Sequence, residues 1–272
     1  METSVNTTAQ QEDKQNFFSG SVPRNYDTYL GPILFTPYAI DLVARIRPGA
    51  VKVLELAAGT GRVTTQLVQA LPAAAITVTD ISDDMMAIAK EAVNTPNITW
   101  QNVNMADIPF AESTFDAVVC QFGLMFVPDR AKALKEMYRV LAPGGQLLLS
   151  TWGSLAQNPV MEASFTFFES AFGQQPFQKG FEPFSLADAA VVQQWMHEAG
   201  FNNARCFEVH KTVQLPSAAD AAKAFMMTWP PVMQNPGMFA PWHTQLTAGL
   251  QEKGGDNPFV SPLLALVFEG EK

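Results

Sequence analysis

The feature that most constrains the fold of this chain is a short apolar run that leads through two closely spaced glycines into an amphipathic segment. Residues 51–56 form the apolar run, and Gly59 and Gly61 follow it. Residues 60–71 then carry apolar side chains at helical spacing and end at Pro72. Because glycine has no Cβ, both glycines can adopt positive φ angles and let a ligand approach the backbone closely. The segment therefore predicts a β-strand, a ligand-binding turn and an α-helix in succession.

The same rhythm of apolar runs and amphipathic segments continues along the chain. Further strands are predicted at residues 76–79, 97–103, 115–122 and 146–152, and two later ones at 203–215 and 263–269. Helices are predicted at residues 83–93, 130–141, 157–172 and 188–198, with a loop at 174–184. Strands that alternate with helices are typical of α/β proteins with a mostly parallel sheet. The pattern predicts a Rossmann-like, doubly wound sheet with helical insertions that form a lid.

A length of 272 residues, 47% of them hydrophobic, fits one enlarged domain built around this sheet. Its parts are a tail with lid helices (1–48), a cofactor-binding core (49–152), an insertion after the fifth strand (153–202) and the last two strands (203–272). A second insertion, residues 216–261, lies within the last part. Residues 1–16 lack the basic start and apolar core of a secretory signal, so they are expected to form a loose tail.

The second insertion has an unusual composition, because it is rich in methionine, tryptophan and proline. Trp229, Met233 and Trp242 belong to it. Soft and aromatic side chains of this kind suit an adaptable apolar pocket for a substrate. They equally suit the packed core of a small subdomain. The sequence leaves both interpretations open.

Charge and cysteine content exclude several classes of function. Lys and Arg total 17 against 26 Asp and Glu, which gives a net charge of −9 and a field that repels nucleic acid and anionic membrane surfaces. No run approaches the roughly 20 apolar residues of a membrane-spanning helix. The two cysteines, Cys120 and Cys206, form neither a disulfide framework nor a CxxC pair, so no metal is expected. We expect a cytoplasmic protein, and self-association into a homo-oligomer stays open.

Three acidic residues follow three successive predicted strands or lie at their ends. They are Glu55, Asp80 and Asp107. Open α/β sheets bind ligands at the carboxyl ends of their strands, so the three carboxylates are expected to converge on one site. Asp80 suits the hydroxyl groups of a ribose, and Asp107 suits the exocyclic amine of an adenine. Glu55 favours a positively charged ligand over a pyrophosphate.

A dinucleotide cofactor is disfavoured for a second reason. The dinucleotide fingerprint has a third glycine where this chain has Thr64. S-adenosylmethionine, which carries an ammonium and a sulfonium, fits the acidic pattern better. An NAD-dependent oxidoreductase is kept as an alternative.

The motifs resemble those of the class I S-adenosylmethionine-dependent methyltransferases, and in particular the ubiquinone/menaquinone-biosynthesis type and other small-molecule methyltransferases. The glycine motif E-x-x-x-G-x-G is matched by Glu55, Gly59 and Gly61, and the ribose acid by Asp80. The adenine motif is matched by Asp107 and Ile108, the fourth strand by residues 115–122, and the turn before strand five by residues 141–145. Ala58 stands where the family commonly has Cys or Gly. The resemblance implies an antiparallel seventh strand between strands five and six.

The resemblance also implies S-adenosylmethionine as cofactor, S-adenosylhomocysteine as product and a small molecule as methyl acceptor. The cofactor-binding residues that it implies are Glu55, Ala57, Gly59, Gly61, Asp80, Ile81, Met85, Asp107, Ile108, Gln121 and Phe122. Tyr26 and Tyr29 lie in a segment that resembles the family's amino-terminal lid, where aromatic side chains close over cofactor and acceptor. Together with Trp229, Met233 and Trp242, they are predicted to contact the substrate.

Methyl transfer from a sulfonium is an in-line displacement in which the leaving group is already activated. Positioning and desolvation can supply most of the rate acceleration, so no catalytic residue is obligatory. If the acceptor needs a base, His243 in the second insertion is the preferred candidate. Two further alternatives are a rearrangement or cyclisation that leaves the cofactor intact and a binding protein without catalysis.

Overall fold

A computed structural model describes residues 20–173 and 183–272. The predicted loose tail at 1–16 and nearly all of the predicted loop at 174–184 lie outside these residues. Seven strands form one sheet in the order β3-β2-β1-β4-β5-β7-β6. The strands are β1 (Lys52–Leu56), β2 (Ala75–Asp80), β3 (Ile98–Asn102), β4 (Phe115–Gln121), β5 (Leu141–Trp152), β6 (Asn202–Leu215) and β7 (Phe259–Glu271). The α-helices are α1 (Val22–Asn25), α2 (Thr36–Ala44), α3 (Arg62–Ala70), α4 (Asp83–Ala92), α5 (Arg130–Val140), α6 (Pro159–Phe172), α7 (Ala189–Ala199), α8 (Ala218–Met226), α9 (Pro230–Met233) and α10 (Phe239–Gly254).

The sheet confirms the predicted fold class. Strands β1 to β5 pair in parallel, and β7 is antiparallel to both β5 and β6, between which it lies. The central strands are buried on both faces, since Val53, Val118 and Leu148 are all 0% exposed. This explains why the strands of the core read as short continuous apolar runs.

Helix α4 begins at its predicted residue, Asp83, whereas helix α3 begins later than predicted. Gly61, with a φ angle of 84°, precedes α3, so the helix starts two residues later than the periodicity predicted. The Ser82 hydroxyl accepts a hydrogen bond from the Met85 amide and caps α4. Both helices therefore begin directly above the carboxyl ends of β1 and β2.

The fifth and seventh strands are longer than predicted. The structure begins β5 at Leu141, which pairs with Phe115, and the predicted turn at 141–145 lies within the strand. The Gly144 amide donates to the Lys272 carbonyl at 2.8 Å, and the Lys272 amide donates to the Gly145 carbonyl at 3.1 Å. The end of the chain thus supplies backbone partners to the glycine turn, which extends the pairing.

The amino-terminal segment lies over the carboxyl edge of the sheet. It contains α1, a π-helix over Tyr26–Phe35 and α2. Between β3 and β4, residues 103–114 form turns and loop, and a short 3-10 helix (Leu124–Phe126) follows β4. Among the described residues, no helix combines the length and apolarity needed to cross a bilayer.

Candidate functional site

The turn after β1 has an unusual backbone. Ala57, Gly59 and Gly61 all have positive φ angles, of 54°, 56° and 84°. A Cβ on Gly61 would lie 2.8 Å from the Cβ of Ala89, so α4 packs directly against the turn. Turns of this kind can present backbone N–H groups to a polar ligand. The two glycines singled out in the sequence are therefore needed for the conformation, for close packing, or for both.

Asp80 ties this turn to the end of β2. Its Oδ2 accepts a hydrogen bond from the Gly59 amide at 2.7 Å, and its Oδ1 accepts one from the Ser82 amide at 2.8 Å. Burial raises the pKa of Asp80, and these amide hydrogen bonds oppose the increase. Asp80 nevertheless lines a cavity above the sheet. Each carboxylate oxygen has a second lone pair, which can accept from a ligand hydroxyl.

Glu55 has a different environment from the one expected. It lies beneath the turn, is 1% exposed, and its Oε2 accepts a hydrogen bond from the Thr64 hydroxyl at 2.7 Å. Burial raises the pKa of Glu55 to about 8, so its carboxyl group is mostly protonated at neutral pH. Glu55 therefore braces β1 against α3 and gives the cavity little negative charge. Thr64, which replaces the third glycine of a dinucleotide motif, is its partner.

The cavity has a volume of about 180 Å³ and extends along the carboxyl edge of the sheet from β3 to β4. One end, above β2 and β3, has polar and thioether groups on its walls. We call it the polar end, and it is lined by Asp80, Ile81, Ser82, Met85, Asn104 and Met105. Three of these residues, Asp80, Ile81 and Met85, were predicted to bind the cofactor. The other three were not.

The structure places Asp107 and Ile108 outside the cavity. Asp107 is exposed, and the Ile108 backbone bonds to α5, its amide donating to Glu136 at 2.9 Å and its carbonyl accepting from Arg139 at 2.7 Å. The chain turns between these residues and β3, since the Asp107 amide donates to the Asn104 carbonyl at 2.9 Å. The turn directs Asn104, rather than Asp107, toward the cavity. Sequence reasoning missed Asn104 because Asn104 and Asp107 both follow β3 within five residues, and the sequence does not show which of them faces the cavity.

The other end of the cavity, above β4, is aromatic. Its walls include Tyr26, Phe35 and Phe122. Tyr26 stacks on Phe35 with ring centroids 4.7 Å apart, and Phe122 stacks on Trp152 at 3.9 Å. Burial, with a smaller effect from Asp80, raises the pKa of Tyr26. We call this part of the cavity the aromatic end. Phe35 carried no motif, so sequence reasoning did not identify it.

The amino-terminal segment over the cavity, residues 22–44, which we call the lid, is fixed to the core by polar contacts. Arg62, the first residue of α3, forms an ion pair with Asp27 at 2.7 Å. A Cβ on Gly31 would overlap the guanidinium group of Arg62, so the π-helix packs directly on this group. The Gln121 side chain at the end of β4 donates from Nε2 to the Phe35 carbonyl at 3.2 Å. The lid is therefore held from the ends of both β1 and β4.

Most of the residues predicted to contact the substrate pack elsewhere. Trp229 is 3% exposed and stacks on Phe168 at 4.5 Å, and Trp242 packs on Phe172 at 4.7 Å. Met233 accepts a hydrogen bond at its sulfur from Asn25, and Lys223 lies 5.9 Å from the ring of Tyr29. These contacts join the second insertion to α6 and to the lid. They favour the interpretation as a packed subdomain over that as a pocket wall.

His243 also lies outside the cavity. Its Nε2 lies 2.9 Å from the carbonyl oxygen of Ala219, and this contact joins α10, which contains His243, to α8. The ring of His243 stacks on that of Phe239 with centroids 5.7 Å apart. This hydrogen bond engages only one of the two ring nitrogens, so what separates His243 from a substrate in the cavity is its position outside the cavity lining. The structure thus gives His243 a role in packing α8 against α10.

The glycine turn, the carboxylate at the end of β2 and the covering lid together define a class of protein. They are typical of α/β proteins that bind a nucleoside-containing cofactor at the carboxyl edge of a mostly parallel sheet. Comparison with known proteins narrows this class. The profile of a family described as "Methyltransferase domain" matches residues 53–145.

Curated relatives agree with the profile. The ubiquinone/menaquinone biosynthesis C-methyltransferase of Hydrogenovibrio crunogenus is 30% identical over 187 residues, which are 63% of this chain and 72% of the relative. The enzymes of the same name from Pasteurella multocida and Haemophilus ducreyi are 36% and 32% identical, over 40% and 57% of this chain. The alignments span 42% and 64% of those two relatives. The chain belongs to the class I S-adenosylmethionine-dependent methyltransferases, as the resemblance of its motifs indicated.

Solved structures share the fold at low sequence identity. Phosphoethanolamine N-methyltransferase 2 of Haemonchus contortus, in complex with phosphomonomethylethanolamine and S-adenosylhomocysteine, has a TM-score of 0.60 and 16% identity. The match covers 92% of this chain and 57% of that one. The cyclase SpnF has a TM-score of 0.55 and 18% identity, over 86% of this chain and 80% of its own. Both similarities concern the fold alone.

Proposed function

We propose that this protein binds S-adenosylmethionine in the cavity and transfers its methyl group to a small, largely apolar molecule, with S-adenosylhomocysteine as the second product. The observation that carries the proposal is the arrangement of Asp80. Its carboxylate is buried, is held by the Gly59 and Ser82 amides, and still lines the cavity. Membership of the methyltransferase family and the aromatic end of the cavity support it.

The residues of the cavity fit this cofactor. Asp80 would accept from the ribose hydroxyls, and Asn104 would face the adenine between the apolar side chains of Ile81 and Met105. The left-handed turn would place Ala57 and Gly59 against the amino acid part of the cofactor. When bound, S-adenosylmethionine supplies a methyl group on a sulfonium, which is an activated leaving group.

The protein's own contribution to the reaction would be to position the acceptor and to exclude water from the cavity. Tyr26 and Phe35 of the lid and Phe122 of the core enclose the aromatic end. The ion pair between Arg62 and Asp27 would keep the lid closed while the acceptor is aligned with the methyl group. With His243 packed against α8, the described part of the chain supports a mechanism in which alignment, rather than a histidine base, drives transfer.

Isothermal titration calorimetry tests the proposal. We expect S-adenosylhomocysteine to bind one site per chain and NAD to give no saturable heat, because Thr64, which donates to Glu55, occupies the place of the third glycine. Turnover then separates transfer from rearrangement, since methyl transfer forms one S-adenosylhomocysteine for each product. Binding of NAD instead of S-adenosylhomocysteine, or product formation that leaves the cofactor intact, would contradict the proposal.

A further inference from the structure

The two polar atoms of the Gln121 amide have different environments. Its Nε2 donates to the Phe35 carbonyl, whereas its Oε1 is buried and, among residues 20–173 and 183–272, has no hydrogen-bond donor. The orientation of the amide is fixed by chemistry, because a carbonyl only accepts and the nitrogen must face it. A buried acceptor without a partner costs about 1–3 kcal/mol. Such a group is suited to a donor that arrives with a ligand.

Gln121 occupies the aromatic end of the cavity. It is the last residue of β4 and precedes Phe122, whose φ angle is 52°. Asp80 ends β2, and β1 lies between β2 and β4 in the sheet. Two strand spacings separate these ends by about 10 Å. A nucleoside held by Asp80 therefore leaves the Gln121 amide near the part of the cavity that is enclosed by aromatic rings.

A second buried polar atom offers a useful comparison. Ser150 of β5 is the register partner of Gln121, and its Oγ is also buried without a hydrogen-bond partner among the described residues. Ser150 lies outside the cavity lining, whereas Gln121 belongs to it. Of these two neighbouring residues, Gln121 is the one beside which a ligand in the cavity would lie.

We propose that Oε1 of Gln121 accepts a hydrogen bond from an O–H or N–H group of the methyl acceptor, and that the preferred acceptor is a flat apolar molecule carrying such a donor. The flat body would lie among Tyr26, Phe35 and Phe122. Gln121 then selects and positions the acceptor. This inference rests on the proposed function.

The test uses protein saturated with S-adenosylhomocysteine and matched pairs of small probes. 2-Naphthol and naphthalene compare an O–H group with its absence, and indole and indene do the same for an N–H group. We expect the donor-bearing member of at least one pair to bind tenfold or more tightly, because an unpaired Oε1 penalises the other member. Equal affinities in both pairs, or no binding of any probe, would overturn the proposal.

Variants separate the role of Gln121 from that of the lid. In Gln121→Met the tenfold preference for the donor-bearing probe should fall to about one. The preference is a ratio of two affinities for the same protein, so a general weakening of the lid lowers both affinities and cancels. In Gln121→Glu a protonated carboxyl group can donate to the Phe35 carbonyl and still present an acceptor oxygen, so the preference should be kept at mildly acidic pH. Ser150→Ala is the matched control and should also keep it.

Three results with the variants would overturn the proposal. They are an unchanged preference in Gln121→Met, loss of the preference in Ser150→Ala, and loss of S-adenosylhomocysteine binding in Gln121→Met alone, which would assign Gln121 to the cofactor. Failure of the proposed function itself is distinguishable, because the unmodified protein would then not bind S-adenosylhomocysteine. The probe pairs test the inference on the unmodified protein even if a variant does not fold.

Discussion

Replacing Asp80 with asparagine is expected to weaken the binding of S-adenosylhomocysteine at least tenfold. The two oxygens of Asp80 accept from the Gly59 and Ser82 amides, and an asparagine has only one oxygen. Loss of the charged acceptor for the ribose hydroxyls would cost about 1.5–3 kcal/mol of binding free energy. The NH₂ group of the asparagine would also face a backbone N–H, which lowers the stability of the free and the bound protein alike. Calorimetric titration of both proteins measures the effect.

Asp83→Asn is the matched control for this variant. Asp83 is exposed in the first turn of α4, three residues from Asp80, and accepts from the Asn102 side chain at 3.2 Å. Its replacement makes the same chemical change outside the cavity, so affinity should stay within about threefold of the unmodified protein. Similar affinities for Asp80→Asn and Asp83→Asn would show that Asp80 does not hold the ribose.

Replacing Glu55 with glutamine is expected to make the free energy of unfolding less dependent on pH. Burial raises the pKa of Glu55 to about 8, whereas an unfolded chain releases this proton near pH 4.5. Between these values the folded state binds more protons than the unfolded state, so stability falls as the pH rises. One protonating group contributes up to about 1.4 kcal/mol per pH unit.

Chemical denaturation between pH 5 and pH 8 measures this effect. Glu55→Gln should become more stable relative to the unmodified protein with each step toward pH 8. Glu136→Gln is the control, because the Arg139 guanidinium lowers the pKa of Glu136. A lowered pKa contributes stability that is lost only on acidification, so this control should show a constant difference from pH 6 to pH 8. A constant difference for Glu55→Gln would mean that Glu55 is ionised in the folded protein.

Much of the fold could be predicted because its determinants are local. Each buried parallel strand is a short apolar run, and the positive φ angles of Gly59 and Gly61 mark the turn after β1. The full length of β5 and β7 could not be predicted. It depends on hydrogen bonds between the 144–145 turn and Lys272, which are distant in sequence.

In the candidate site, too, some residues could be predicted from local sequence and others could not. Asp80 was predictable because it ends a strand next to the glycine turn. Asp107 and Asn104 both follow β3, and only the turn between them decides which one faces the cavity. Phe35 enters the site through the lid, 86 positions before Gln121, and no local pattern indicates that contact. Trp229 and Trp242 had the composition of a pocket but pack on α6.

A crystal structure of the complex with S-adenosylhomocysteine tests the central claim most directly. The account predicts ribose hydroxyls within hydrogen-bond distance of Asp80, the adenine beside Asn104, and the sulfur directed toward Gln121 and Phe122. A nucleoside bound elsewhere, or a dinucleotide lying across Gly59 and Gly61, would contradict it.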